Sequence, residues 1–183
     1  MPLIFQYGSN CDTSRLNAPG RLAGDAEDGG PAETIEEYDI AFDVWSQGNG
    51  CAASGLGAAP GSRRRAWGVL YEIPADLIRG NRSDGRRTLA EIEGRYYEEQ
   101  PIRVRNETGE ELEVTTFVVT PGARRSGLWT SFDYVRHIVE GLRAHRVPEV
   151  YIQHVIDVAI ETNCCAAQKA EEQNRLIATL RAP

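Results

Sequence analysis

A single mixed α/β domain is the fold this sequence predicts, and three observations carry that expectation. The chain has 183 residues, which against roughly 150 residues per domain allows one core that needs no disulfide or metal to hold it. Hydrophobic residues make up 41% and charged residues 26%, the ordinary balance of a chain that folds in water. Strand-like and helix-like segments alternate along it with no internal repeat and no linker between them.

Leu3–Gln6 is a short apolar run stopped by Gly8 and Asn10, which reads as a buried strand. Asp12-Thr13-Ser14-Arg15-Leu16 reads as a short helix, because Asp and Thr cap helix starts. Residues 18–33, rich in Gly, Pro, Ala and acid, read as loop, and 35–45 carries the β-formers of a strand. From 46 to 65 the chain is glycine-rich and irregular, and a stretch of that length is expected to cover something. The segment 66–73, Ala-Trp-Gly-Val-Leu-Tyr-Glu-Ile, predicts a strand, and Pro74 suits the first turn of a helix through Leu77 and Ile78. A second helix is expected over 86–93, ended by Gly94. Residues 96–105 and 111–120 alternate as two strands, joined as a hairpin across Asn106-Glu107-Thr108-Gly109. Ser131 caps a helix whose apolar face is Val135, Ile138, Val139 and Leu142. Pro148 begins the last long helix, with Tyr151, Val155, Ile156 and Ala159 inward and a charged tail, 168–175, in solvent.

Charge and composition exclude several kinds of chemistry. The 27 acidic and 20 basic side chains give a formal charge of −7, which argues against bulk binding to nucleic acid or to an anionic membrane. Lys169 is the sole lysine, so a Schiff-base lysine is not expected and a phosphate loop ending Gly-Lys-Ser/Thr is absent. No run approaches the roughly 20 apolar residues of a membrane span, and the opening apolar run is too short and too uncharged for a signal peptide. Cys11, Cys51, Cys164 and Cys165 form no C-x-x-C pair and no zinc-like spacing to the three histidines. The expectation is a reduced, cytoplasmic protein without a metal, with Cys164 and Cys165 packed as small residues on a helix.

Three places can carry chemistry. Tyr7-Gly8-Ser9-Asn10 lies where a strand gives way to a short helix, a junction that leaves backbone N–H groups unpaired and favours an anion. Gly8 lets a ligand approach the backbone, and Ser9 and Asn10 add side-chain donors. A plain turn is the ordinary outcome of Gly-Ser-Asn alone, but the lack of basic neighbours suits a carboxylate. Glu93 lies four residues after Leu89, on an apolar helix face, whereas Glu91 lies four after Arg87, where an exposed ion pair can form. A carboxylate that loses solvent has a raised pKa and serves as a general acid or base near neutral pH. A helix-end cap or a pair with Arg95 is the equal alternative for Glu93. Tyr134, in the first turn of its helix, can hydrogen-bond a ligand while packing. His137, His145 and His154 lack companions at metal-ligand spacing and read as surface or core residues, and Arg63-Arg64-Arg65 reads as a solvated run.

Taken in order, these residues resemble the γ-glutamylcyclotransferase (AIG2-like) family. The resemblance runs through Tyr7-Gly8-Ser9-Asn10, Arg15-Leu16, Trp67-Gly68-Val69-Leu70-Tyr71, Glu93-Gly94 and Tyr97. It continues in Ser131-x-x-Tyr134, Gly141 and Pro148-x-x-Tyr151, and covers about residues 3–155. It implies an α+β fold, a mixed β-barrel with flanking helices, across residues 1–183 as one domain with a peripheral tail from about 160. It also implies formation of 5-oxoproline from a small γ-glutamyl donor with release of an amine and no cofactor. Glu93 takes the place of the catalytic general acid/base, Tyr7 to Asn10 that of the γ-glutamyl-binding segment, and Tyr134 that of a substrate-contacting tyrosine. Family members include dimers, so a homodimer is one assembly the resemblance allows. The chain departs from the family at Ala90, often acidic there, at Thr130, often proline, and at Cys51-Ala52-Ala53-Ser54-Gly55, where paired glycines are usual. Asn10 differs from the leucine of the glutathione-specific branch, which points away from glutathione. Two rival readings are a binding module that keeps the fold without turnover, and a hydrolase with Cys11 or Cys51 as nucleophile.

Overall fold

A computed structural model describes residues 1–80, 86–166 and 169–181. Its strands are β1 (Leu3–Gln6), β2 (Glu27–Thr34), β3 (Tyr38–Ser46), β4 (Cys51–Ala58), β5 (Trp67–Glu72), β6 (Tyr97–Asn106) and β7 (Glu111–Val119). Its helices are α1 (Thr13–Leu16), α2 (Ala75–Ile78), α3 (Leu89–Glu93), α4 (Phe132–Ala144), α5 (Glu149–Cys164) and α6 (Lys169–Thr179), with 3₁₀ turns at Ser9–Cys11 and Pro121–Ala123. Five strands close into a barrel in the order β1-β5-β2-β6-β7, and β3 and β4 form a separate two-stranded sheet. The barrel is mixed: β7 returns to β1 in parallel, with Ile4 opposite Thr115 and Phe5 opposite Thr116, while its other neighbours are antiparallel. This is the α+β barrel with flanking helices. Among the described residues no helix is long and apolar enough to cross a membrane.

Two stretches read as irregular from sequence are strands. Within 18–33 the barrel recruits Glu-Asp-Gly-Gly-Pro-Ala-Glu-Thr as β2, which pairs with β5 on one side and β6 on the other. Its composition signals a loop, but a partner on each side supplies the hydrogen bonds that local propensity does not. The register shifts between Asp28 and Pro31, where a bulge accommodates a residue with no N–H to give. Within 46–65, Cys-Ala-Ala-Ser-Gly-Leu-Gly-Ala forms β4, whose first six residues are all buried. Small side chains are what this strand needs, because a Cβ on Gly55 would lie 2.7 Å from Asp43 Oδ1 and 2.8 Å from Val119 Cγ2. Of the turn that remains, Gln47, Gly48 and Asn49 line the cleft described below.

Helix ends also differ from expectation. α3 starts at Leu89, not 86, because Thr88 caps it: its hydroxyl accepts from Glu91 N while the Glu91 carboxylate accepts from Thr88 N. β3 begins at Tyr38 rather than 35. The charged tail, of which Gln168 lies outside the described residues, contains α6. That helix buries Ala170 and Ile177, and its Gln173 accepts a 2.7 Å hydrogen bond from Phe132 N at the start of α4. Cys164 and Cys165 are exposed at the end of α5 rather than packed.

The helix that matters most for the site behaves as its periodicity predicts. Val135, Ile138, Val139 and Leu142 of α4 are fully buried. Between them Gly141 lies against the 3₁₀ turn so closely that a Cβ would come 2.3 Å from the Cys11 carbonyl carbon and 2.4 Å from Asp12 N. Only glycine lets α4 press on that turn, and the turn carries Ser9 and Asn10.

Candidate active site

The end of β1 runs directly into the site. Tyr7 turns inward and donates a 2.7 Å hydrogen bond to the Phe117 carbonyl, and burial pushes its phenol well above the ordinary range. Gly8 faces β4, with Ser54 Oγ only 2.5 Å from where a Cβ would be. Ser9 and Asn10 follow in the first turn of the 3₁₀ helix, whose leading N–H groups have no intrahelical partner.

Asn10 joins this loop to Glu93. Its amide Nδ2 donates to Glu93 Oε1 at 2.9 Å, and its Oδ1 accepts from Arg21 Nη2. Glu93 is the last residue of α3, followed by Gly94 at φ +85°, a conformation that ends the helix and suits glycine. Burial pushes the Glu93 carboxyl up, while the Gln6 amide, Arg21 and Asn10 pull the other way by favouring its charged form. Gln6 Nε2 makes no well-formed hydrogen bond among the described residues, so it acts on Glu93 as a nearby amide dipole. Glu93 is therefore a carboxylate short of solvent but oriented by a fixed donor.

Tyr134 enters from α4, held by Ser131, whose hydroxyl accepts from Tyr134 N at 3.2 Å. Its phenol lies 3.0 Å from both Ser54 N and Ser54 Oγ, and Tyr97 OH donates to the Ser54 carbonyl at 2.7 Å. Burial raises both phenols, so both stay protonated at neutral pH. Tyr7, Gly8, Ser9, Asn10, Glu93 and Tyr134 together line one small recess of about 30 Å³. The recess shares Ser9, Asn10, Glu93, Tyr97 and Tyr134 with an open cleft of about 670 Å³.

Sequence reasoning missed Gln6, Arg21, Ser54 and Tyr97 as parts of this site. Ser54 sits in a run of small residues and Arg21 in an acidic loop, and neither has a local signal. Tyr97 was visible only as one position of the family resemblance.

Other candidates are elsewhere or otherwise engaged. Glu91 makes no side-chain pair with Arg87; its carboxylate serves the Thr88 cap, whose backbone N–H holds it below the usual range, and Arg87 Nη2 donates to its backbone carbonyl. Arg95 does not pair with Glu93 but bonds Tyr96 OH at 2.7 Å and stacks over its ring. His137, His145 and His154 bond Asp12, Asp28 and Asp39 at 2.7, 3.0 and 2.7 Å, and none lines the cleft. Arg64 pairs with Asp39 and Arg65 with Glu33. The cysteine-nucleophile reading is overturned: Cys11 and Cys51 are buried, the Cys11 thiol is pushed far up by burial, and Cys11 Sγ is spent on the Gln6 carbonyl at 3.0 Å.

Residues 65–155 match the sequence model of the AIG2-like family. No curated protein matches the chain. A solved structure named γ-glutamyl cyclotransferase superposes with a TM-score of 0.69 at 19% identity, covering 84% of this chain and 85% of that one. An uncharacterized protein from Homo sapiens gives 0.68 at 22% identity, with 84% and 85% coverage. YkqA from Bacillus subtilis gives 0.65 at 19% identity over 86% of this chain and 54% of its own. Residues 65–155, from the β5 tryptophan strand into α5, thus belong to the AIG2-like family, and the chain takes the γ-glutamyl cyclotransferase fold.

Proposed function

We propose that this protein is a γ-glutamyl cyclotransferase: it converts a γ-glutamyl amino acid or amine to 5-oxoproline and the free amine, with Glu93 as general acid/base. The observation that carries the reading is the Glu93 carboxylate, raised by burial yet held by Asn10 at the inner end of an open cleft. In the reaction the neutral α-amine attacks its own γ-carbonyl carbon and loses one proton to Glu93. A carbon–nitrogen bond forms and closes the five-membered ring. The tetrahedral intermediate then expels the other nitrogen, which takes that proton from Glu93 as its bond to carbon breaks. Glu93 ends as it began, and no proton or electron is consumed. A carboxyl whose pKa burial brings toward neutrality is suited to both transfers.

The other residues have positioning work. The Ser9 and Asn10 N–H groups are suited to the donor's α-carboxylate, which fixes the chain in the bent shape ring closure needs. Asn10 holds the Glu93 carboxylate in one orientation. The phenols of Tyr97 and Tyr134, locked on Ser54, give the recess a rigid wall.

The test is 5-oxoproline release from γ-glutamyl-alanine by Glu93→Gln, which keeps shape and removes the titrating group. A fall in kcat of about 10²- to 10⁴-fold is expected, the usual worth of a general acid/base. Full turnover by the variant refutes the role. Tight binding of the peptide by the intact protein with no 5-oxoproline favours a binding module instead.

A further inference from the structure

The cleft is cationic in an acidic protein. Arg15, Arg21, Arg87 and Arg95 line it against only Glu91 and Glu93, whereas the chain as a whole carries −7. Elsewhere arginines meet carboxylates, as Arg79 meets Glu99 and Arg143 meets Glu149. The four in the cleft are in no ion pair with any described residue. Arg95 is stacked on Tyr96 and Arg87 is turned to the Glu91 carbonyl. Arg15 and Arg21 are left with neutral partners only: Arg15 Nη2 donates to Asn49 Oδ1 at 2.8 Å and Arg21 Nη2 to Asn10 Oδ1. The Nε of each is buried and has no hydrogen-bond partner among the described residues.

Neither guanidinium has a carboxylate bonded to it among the described residues, although the Glu93 charge reaches Arg21. Arg21 has lost much of its water and the charges of Arg15 and Arg87 push on it, so its pKa falls to about 10 even though the nearby Glu93 carboxylate acts the other way. It remains a cation at neutral pH, and a carboxylate is the partner whose geometry fits its fork. Their places in the cleft differ. Arg21 is linked to Glu93 through the single side chain of Asn10. Arg15 is tied to Asn49, exposed at the tip of the turn between β3 and β4, and so stands at the outer rim.

We propose that these two arginines select the leaving half of the substrate, which is an anionic amine: Arg21 takes a carboxylate on the carbon that bears the released nitrogen, and Arg15 takes a second carboxylate farther out. The preferred substrates are then γ-glutamyl conjugates of acidic amino acids. The proposal rests on the cyclotransferase reading, since Glu93 marks where the released nitrogen sits. A carboxylate on the carbon bearing that nitrogen is two bonds from it, about the reach of the Asn10 bridge. The same guanidinium chemistry would accept the donor's own α-carboxylate, so the test separates the two sources.

The experiment compares kcat/KM for γ-glutamyl-glutamate, γ-glutamyl-alanine and γ-glutamyl-ethylamide, whose leaving halves carry two, one and no carboxylates. The wild type is expected to prefer them in that order, with steps of about tenfold, one charge-assisted contact each. Higher salt should shrink both steps, because the contacts are ionic and the cleft is open. Arg21→Gln should shrink the alanine-to-ethylamide step toward one, and Arg15→Gln the glutamate-to-alanine step. These ratios are taken within one protein, so a partly folded variant does not distort them, and the wild-type order and its salt dependence stand as a test without any variant. Equal kcat/KM for all three substrates in the wild type overturns the proposal and leaves the cyclotransferase reading intact. An equal loss on all three in Arg21→Gln also overturns it, by assigning Arg21 to the donor half. Release of 5-oxoproline from none of them counts against the cyclotransferase reading itself, and the proposal falls with it.

Discussion

Replacing Gly8 by alanine puts a methyl group where β4 already stands. The new Cβ would lie 2.5 Å from Ser54 Oγ and 3.6 Å from Tyr134 OH. Gly8 has φ −99°, which an L-residue adopts, so the cost is steric rather than conformational. Ser54 Oγ must retreat by roughly 1 Å to reach van der Waals distance, and in doing so it gives up its 3.0 Å contact with Tyr134 OH. Overpacking of this kind costs about 1–3 kcal/mol. At roughly 2–4 °C per kcal/mol for a chain of this size, the midpoint falls by several degrees. Ser54→Ala removes the offending atom, since the Ser54 Cβ is 3.9 Å from the same point, at the cost of one hydrogen bond, about 0.5–1.5 kcal/mol. The double variant should therefore be about as stable as Ser54→Ala alone, a coupling of roughly 1–3 kcal/mol where independent sites would add. Urea unfolding of the four proteins measures it. Simple additivity, or a Gly8→Ala protein as stable as the wild type, refutes the close packing of loop and β4.

Three further outcomes follow from the same geometry. Gly141→Ala would drive a Cβ to 2.3 Å from the Cys11 carbonyl carbon; backbone cannot yield as a side chain can, so a loss of about 3 kcal/mol or more is expected. Thermal melting and 5-oxoproline release should fall together, and a variant normal in both would show that α4 does not set the Ser9–Cys11 turn. Glu93→Gln should be more stable than the wild type at pH 8. The folded carboxyl titrates above its ordinary 4.5, so the wild type loses stability as pH rises from there through the folded value. Below pH 4 that advantage should vanish, and urea midpoints at pH 4 and 8 that differ in the opposite sense would contradict it. Asp12→Ala removes the α1 cap on Arg15 N and the 2.7 Å partner of His137, for about 0.5–2 kcal/mol from the cap alone. Burial raises the Asp12 carboxyl, but the bonds from His137 and Arg15 outweigh it and hold it low. Its contribution is therefore present above about pH 3.8 and lost as pH falls through the folded value, so the two proteins should converge in acid melts.

Much of the site was legible because its parts sit at element boundaries, where local chemistry leaves a mark. Asp12 and Ser131 were readable as caps and cap as expected, which places the Ser9–Cys11 turn and Tyr134. Glu93 was readable as a carboxylate four residues past Leu89, with a glycine to stop its helix. Its alternative, a pair with Arg95, was settled only by Tyr96, which holds that arginine elsewhere. β2 and β4 were not legible, since Gly29-Gly30-Pro31 and a string of alanines and glycines carry no strand propensity. β2 is a strand because the distant β5 and β6 pair with it, and β4 because it folds back on β3 while Asp43 and Val119 leave no room for a side chain at Gly55.

By itself the sequence determined helices α1 to α5, the hairpin of β6 and β7, the opening strand, and the Tyr7–Asn10 loop, Glu93 and Tyr134 as candidates, since each depends on spacing within one short segment. The tertiary structure alone decided that β2 completes the barrel, that Ser54 braces Tyr134 and Tyr97, and that Arg15 and Arg21 face one cleft with no carboxylate bonded to either among the described residues. Each of those depends on residues far apart in the chain, such as Ser54 and Tyr134, 80 positions apart. A contact across that distance is created by closure of the barrel against α4, and no local pattern encodes it.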